Sequence, residues 1–251
     1  MTIYKNEFYE DRYQRTKYSV DTILPIVMNI IPNINSVVDL GCGVGAWLYG
    51  FKKLGVEQVT GYDGPYVNKK YLKISESNFI DCNLTEPLKI GKRYDLAMSL
   101  EVAEHLPEDK AKIFIDSLTN LSDVVLFSAA LPGPGGIGHV NCQWPEYWIE
   151  LFNQNGYKAF DLIRGSIWND KSITNCYRNN SFIFIKEDKV NSRLNRDFDY
   201  INLNCLPLVH PELYEAKVHN IGIKSSLSIL KKAISRRLFG KNYNFLGKFD
   251  S

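Results

Sequence analysis

Val37-Val38-Asp39-Leu40-Gly41-Cys42-Gly43-Val44-Gly45-Ala46 is the stretch on which the fold turns. Its first four residues read as a short buried strand. Helical spacing begins at Ala46 and lasts to about residue 54, so the strand must turn sharply into a helix. Glycines in such a turn permit left-handed backbone angles and let a ligand approach the main chain at the carboxyl end of a sheet. The stretch predicts a Rossmann-like α/β domain.

Outward from it the two periodicities alternate. Residues 59–62, 79–80, 94–100, 124–130, 159–163 and 182–185 read as strands, and 108–121 and 145–155 as helices. This alternation predicts a mostly parallel sheet with helices on both faces, and the closing pair of strands, joined by a long polar loop, predicts an antiparallel edge. Upstream, a helix capped by Ser19 and carrying Ile23, Ile26, Val27 and Ile30 should stop before Pro32. Before it, Phe8, Tyr9, Arg12, Tyr13 and Tyr18 stand interleaved with charges.

Residues 1–187 are therefore expected to form one domain, and 188–251 a C-terminal helical extension. In the extension Ile223, Leu227, Leu230, Ile234 and Leu238 make one helical stripe, and residues 222–251 hold seven Lys or Arg against one acid, Asp250. A basic amphipathic helix of this kind suits a peripheral membrane contact, an acidic partner or a second copy of the chain. Packing on its own domain suits it equally. The extension is expected to be dispensable for chemistry.

Composition narrows the function. With 251 residues, 45% of them hydrophobic and 23% charged, the chain has the make-up of an ordinary globular domain. A formal net charge of +2 gives no broad basic field for nucleic acid, which favours small-molecule chemistry. Five cysteines without a C-x-x-C pair, and no leader ahead of them, point to a reducing, cytoplasmic setting. No apolar run reaches the roughly 18 residues of a membrane span.

The glycines alone do not identify the cofactor. Gly41-x-Gly43-x-x-Ala46 fits the dinucleotide fingerprint, with Asp63 about twenty residues on where a ribose-binding acid belongs. Asp39 separates the two readings. A carboxylate at the mouth of the turn would repel a pyrophosphate, whereas S-adenosylmethionine has no phosphate and carries an ammonium and a sulfonium.

The same segment resembles motif I of class I S-adenosylmethionine-dependent methyltransferases. Gly61-Tyr62-Asp63-Gly64 is similar to that family's second-strand acid, which binds both ribose hydroxyls. Asn83-Leu84-Thr85-Glu86-Pro87-Leu88 resembles the segment that holds adenine, and Ser99-Leu100-Glu101-Val102-Ala103-Glu104-His105-Leu106-Pro107 resembles the segment after the fourth strand. The resemblance covers about residues 8–187. It implies S-adenosylmethionine as cofactor and S-adenosylhomocysteine as product, held by Asp39, Gly41, Gly43 and Asp63. The family usually has Asp at the adenine contact; here it is Asn83, whose amide oxygen can accept from the adenine amino group, as can Asp81.

A hydroxyl acceptor must lose a proton, and a histidine base suits working pH. His139 is the favoured base because it follows the Gly/Pro loop at the carboxyl end of the strong fifth strand, where open α/β sheets bind ligands. Nearby Asn141, Gln143, Trp144 and Tyr147 mix amides with aromatic faces, as recognition of hydroxyl-rich acceptors requires. His105 would lie one helical turn from Glu101, and the two are further catalytic candidates. Glu101, Glu104, His105 and His139 have the chemistry to hold a divalent ion, although nothing in their spacing demands one and no metal is predicted.

A polar loop between the last two strands adds Trp168, Tyr177 and Asn180 to the candidate acceptor site, beside Arg164, Asn169, Asp170, Arg178 and Asn179. Together with Ser128-Ala129-Ala130-Leu131-Pro132-Gly133 and Gly138-His139-Val140-Asn141, this loop resembles a bacterial methyltransferase subgroup associated with surface-glycan or secondary-metabolite pathways. The expected activity is O-methylation of a small polar acceptor such as a sugar or nucleotide-activated sugar in surface polysaccharide biosynthesis. N-methylation of a small amine, a catalytically silent cofactor-binding scaffold and a homo-oligomeric state stay open, and NAD-dependent oxidation is disfavoured by Asp39. The chain has no Asn/Asp-Pro-Pro-aromatic motif, and a nucleic-acid substrate is not expected.

Overall fold

The computed structural model describes residues 6–88, 90–133, 136–195, 208–212, 214–215, 226 and 230, with side chains from residue 16 onward. Seven strands form one sheet in the order β3-β2-β1-β4-β5-β7-β6: β1 (Ser36–Leu40), β2 (Gln58–Asp63), β3 (Phe79–Asp81), β4 (Leu96–Leu100), β5 (Val124–Ser128), β6 (Tyr157–Phe160) and β7 (Phe182–Lys186). All neighbours pair in parallel except those of β7, which runs antiparallel to both β5 and β6. The antiparallel strand is thus inserted one position in from the edge.

The central strands read as unbroken apolar runs because both faces are covered. Val37, Leu96, Met98, Leu126 and Ile185 point to one side, where they meet α1 (Asn6–Ile30) and α2 (Ala46–Lys53). Val38, Leu40, Ala97, Val125, Phe127 and Phe184 point to the other, toward α3 (Ala111–Leu121) and α4 (Pro145–Asn153). Phe152 stacks on Phe184 at 3.8 Å between centroids, which locks α4 onto β7. On the first face α1 and α2 approach closely because Gly50 has no side chain: a Cβ there would stand 2.3 Å from Val20 and 2.7 Å from Leu24.

Several sequence expectations are corrected. Ser19 caps no helix; α1 begins at Asn6, and Ser19 is buried in its middle, where its Oγ accepts from Thr174 N at 3.1 Å. Pro25 lies inside α1 with its ring exposed, so the lost amide bond falls on the solvent side. The side chains of Phe8, Tyr9, Arg12 and Tyr13 lie outside the described residues, as do Pro134, Gly135 and the 222–241 stripe apart from residues 226 and 230. The loop between β6 and β7 is no simple hairpin: it holds α5 (Arg164–Ile167) and α6 (Asn175–Asn180).

Beyond β7, α7 (Val190–Arg193) and the residues after it return to the domain. Arg193 donates to Asp95 O at 3.2 Å and Asn195 N to Ile30 O at 3.1 Å. The chain divides into two compact units, residues 1–210 and 211–251, and every element named here belongs to the first. Among the described residues no helix is long and apolar enough to cross a membrane.

Candidate active site

β1 carries Asp39 to the mouth of the glycine turn, where it is only 3% exposed. Burial, and then the neighbouring Asp63 carboxylate, push the Asp39 carboxyl well above its ordinary range. A nearby cation would relieve both effects, which is the chemistry of a sulfonium or ammonium ligand and the opposite of a pyrophosphate. The turn itself needs glycine. Gly41 has φ +87°, and a Cβ on it would stand 2.4 Å from Val102 Cγ2. Gly43 and Gly45 are also left-handed, at +53° and +79°.

Asp63, at the end of β2, braces this turn. Its Oδ2 accepts from Gly43 N at 2.6 Å, and its Oδ1 from Gly64 N and from the Tyr66 hydroxyl, each at 2.6 Å. Tyr66 folds back across Gly64 to reach it: a Cβ on Gly64 would meet the tyrosine ring at 2.2 Å. Sequence reading found Asp63 but not this hydroxyl. Asp81 lies in the parallel partner position to Asp63 and pairs with Lys69 Nζ at 2.8 Å. Asn83 Oδ1 closes a local turn, accepting from Thr85 N at 3.1 Å and Thr85 Oγ1 at 2.8 Å.

The second half of the site begins where β4 ends. Glu101 takes a left-handed φ of +58°, and its N–H donates to Ser128 O at 3.0 Å and Ser128 Oγ at 3.1 Å. One 3-10 turn over Ala103–His105 follows. Glu101 and His105 therefore do not share a helical turn, because Glu101 has a left-handed backbone and the turn begins only at Ala103. Val102, which touches Gly41, joins the glycine turn directly to this segment.

What gathers around the turn instead is Glu104, His105 and His139. The Glu104 carbonyl accepts from Val140 N at 2.9 Å and from Asn141 N at 3.0 Å, and this stitching holds the His139 loop against the turn. The His105 and His139 rings meet edge to face at 4.7 Å, and His139 Nε2 is 3.9 Å from Glu104 Oε1. Glu104 is fully buried. Burial lowers the His139 pKa from its ordinary value, which favours the uncharged ring. Sequence reading gave Glu104 only as one of four residues able to hold a divalent ion and not as a partner of the His139 base; its complete burial is what the structure adds.

The acceptor-side candidates fall into two groups. Asn141 is buried, and its Oδ1 accepts from Gln143 Nε2 at 2.9 Å. Trp144 precedes α4, and Tyr147 stands on that helix with its phenol pKa raised, mainly by burial. Gln143 and Asn180 share a small cavity with Phe127, Trp148 and Phe184; at about 10 Å³ it has room for one water molecule and none for an acceptor. Tyr177 lies edge-on to Trp47 at 5.1 Å, at the start of α2.

Asn180 also reaches the other half of the site, donating from Nδ2 to Glu101 Oε1 at 3.2 Å. Behind it Asn179 Nδ2 donates to Asn180 Oδ1 at 2.6 Å, and His210 N donates to Asn179 Oδ1 at 2.7 Å. His210 stacks obliquely on Trp168 at 4.7 Å and shares the Trp168 carbonyl with the buried Arg178. A residue 32 positions past Arg178 thus lies at the back of the site. No local pattern around His210 announces this role.

The family described as methyltransferase domain matches residues 10–185. None of the curated proteins matches the chain. Among solved structures, it is similar to an O-methyltransferase family protein from Burkholderia thailandensis, with 14% identity and a TM-score of 0.53 over 71% of this chain and 58% of that one. It is also similar to DesVI of Streptomyces venezuelae, with 11% identity and a TM-score of 0.53 over 71% of this chain and 94% of that one. At these identities the likeness is one of fold, and the chain spans 58% of the length of the Burkholderia protein.

Proposed function

We propose, from the premise that the chain belongs to the methyltransferase-domain family and is an S-adenosylmethionine-dependent methyltransferase, that its acceptor is a small polar molecule methylated on oxygen. A sugar or nucleotide-activated sugar of surface-glycan assembly is the first substrate to test. The observation that carries this reading is the His139 imidazole 3.9 Å from the fully buried Glu104 side chain, on the segment whose Val102 packs against Gly41. An amine acceptor is a nucleophile already when neutral. An alcohol needs a proton acceptor, and the site holds one.

S-adenosylmethionine supplies the methyl group as a sulfonium substituent, the sulfur keeping the electron pair of the broken bond. Asp39 and Asp63 face the cation and the ribose hydroxyls, and the left-handed glycines let the main chain approach. His139 Nε2 takes the hydroxyl proton as the acceptor oxygen bonds to the methyl carbon, and Glu104 at 3.9 Å stabilises the imidazolium that results. Glu101, held by Asn180, orients the acceptor. Trp168, Tyr177, Asn141, Gln143, Trp144 and Tyr147 shape the surroundings.

Release of S-adenosylhomocysteine measured against sugar nucleotides, free sugars, small phenols and small amines tests the reading. Turnover with hydroxyl acceptors is expected. Turnover with amines alone would refute it.

A further inference from the structure

We infer that Glu104, His105 and His139 bind a divalent transition-metal ion. One donor atom from each lies within 4.8 Å of the other two. Donors about 2.1 Å from an ion stand roughly 3.4 Å apart in tetrahedral geometry, so the set closes on a metal by small side-chain rotations. Two imidazoles with one carboxylate suit manganese, iron, cobalt or zinc, and three protein ligands leave positions open for an acceptor.

The surroundings supply what a ligand set needs behind it. His105 Nδ1 is 3.3 Å from the Gly138 carbonyl; a carbonyl only accepts, so Nδ1 carries the proton and the lone pair of that ring belongs to Nε2. His139 Nδ1 is 3.5 Å from Cys142 Sγ, while its Nε2 faces Glu104. The His139 ring occupies space that only a glycine leaves, since a Cβ on Gly136 would stand 2.2 Å from Nε2.

The role of the ion, though not its presence, rests on the O-methylation reading. A hydroxyl bound at an open position of the metal is more acidic than in water. Its proton leaves to solvent, its oxygen bonds to the methyl carbon, and His139 then serves as a ligand in place of a base.

The full-length chain, freed of metal with a chelator and then dialysed, is titrated with Mn²⁺ by electron spin resonance and with Co²⁺ by its visible absorption. One ion per chain is expected. Glu104→Gln and His139→Asn should each weaken binding by about 100-fold or more, since even outer-shell partners of ligands are worth 10–100-fold. Gly136→Ala, which keeps all three ligands and displaces the ring, should weaken it as well. No stoichiometric binding of Mn²⁺, Co²⁺ or Zn²⁺ at millimolar concentration, by folded protein that still binds S-adenosylhomocysteine, overturns the inference. If His139→Ala is then still inactive on hydroxyl acceptors, O-methylation with His139 as the base stands alone. If the ion binds and only amines are methylated, the metal site stands and the acceptor assignment falls.

Discussion

Removing the Asp63 carboxylate should weaken S-adenosylmethionine binding by an amount that the neighbourhood of Asp63 sets. Two ribose hydroxyls donating to a carboxylate would contribute about 1.5–3 kcal/mol each. Asp63 Oδ1 already accepts from Tyr66 at 2.6 Å, however, and ribose must displace that hydroxyl. The phenol bond that is lost is open to water and contributes only about 0.5–1 kcal/mol, against about 3–6 kcal/mol for the two gained, so the net gain is about 2–5.5 kcal/mol, roughly a 30- to 10⁴-fold effect on Kd. Asp63→Ala should show that loss by calorimetry. It also strips Gly43 N and Gly64 N of their acceptor, so Asp63→Asn is measured beside it as the variant that better preserves the turn. Tyr66→Phe separates the contributions. The tyrosine is 66% exposed and water competes for its hydroxyl, so deleting it should tighten cofactor binding by only about 0.5–1 kcal/mol, roughly 2- to 5-fold. An unchanged Kd in folded Asp63→Ala, or a weaker one in Tyr66→Phe, would refute the competition between phenol and ribose.

His139→Ala should lower turnover of a hydroxyl acceptor by about 10²–10⁴-fold while S-adenosylhomocysteine affinity by calorimetry stays nearly constant; retained activity would remove His139 from the chemistry. Gly41→Ala places a Cβ 2.4 Å from Val102 at a φ of +87°, and denaturant melts should show a loss of about 2–5 kcal/mol from the left-handed backbone and the overpacking together. A chain ending at residue 210 should keep cofactor binding and turnover in the hydroxyl assay. A chain ending at residue 188 loses the His210 bond to Asn179 and the Asn195 bond to Ile30, and should melt at a lower temperature; equal melting of the two would show those bonds to be idle.

The cofactor half of the site was legible because it is written in consecutive residues: an apolar strand, three glycines and an acid at a fixed distance. The strand ends followed from periodicity to within a few residues, although β6 lies at Tyr157–Phe160, upstream of the 159–163 run. The acceptor half is assembled from distant pieces. Glu104 is buried where its carbonyl holds Val140 and Asn141, residues 36 and 37 positions on, and positive φ at Glu101 just before it leaves no mark in composition. Helices of four and six residues, such as α5 and α6, are too short to show a period, so the polar stretch between β6 and β7 read as a loop. Arg164 and Arg178 stood in that stretch only as two more polar residues of a loop. They are buried, because Arg164 pairs with Asp161 and donates to Asn179 O while Arg178 donates to Trp168 O.

The place of β7 in the sheet has a consequence for synthesis. β6 is made before β7, yet the two pair with each other, and β5 also has β7 as its outer neighbour. Until residues 182–186 leave the ribosome, β5 exposes an open apolar edge and β6 has no strand to join, a state that invites pairing between chains. Sheet closure is thus a late, non-local event, and nascent chains stalled upstream of β7 should be the aggregating species.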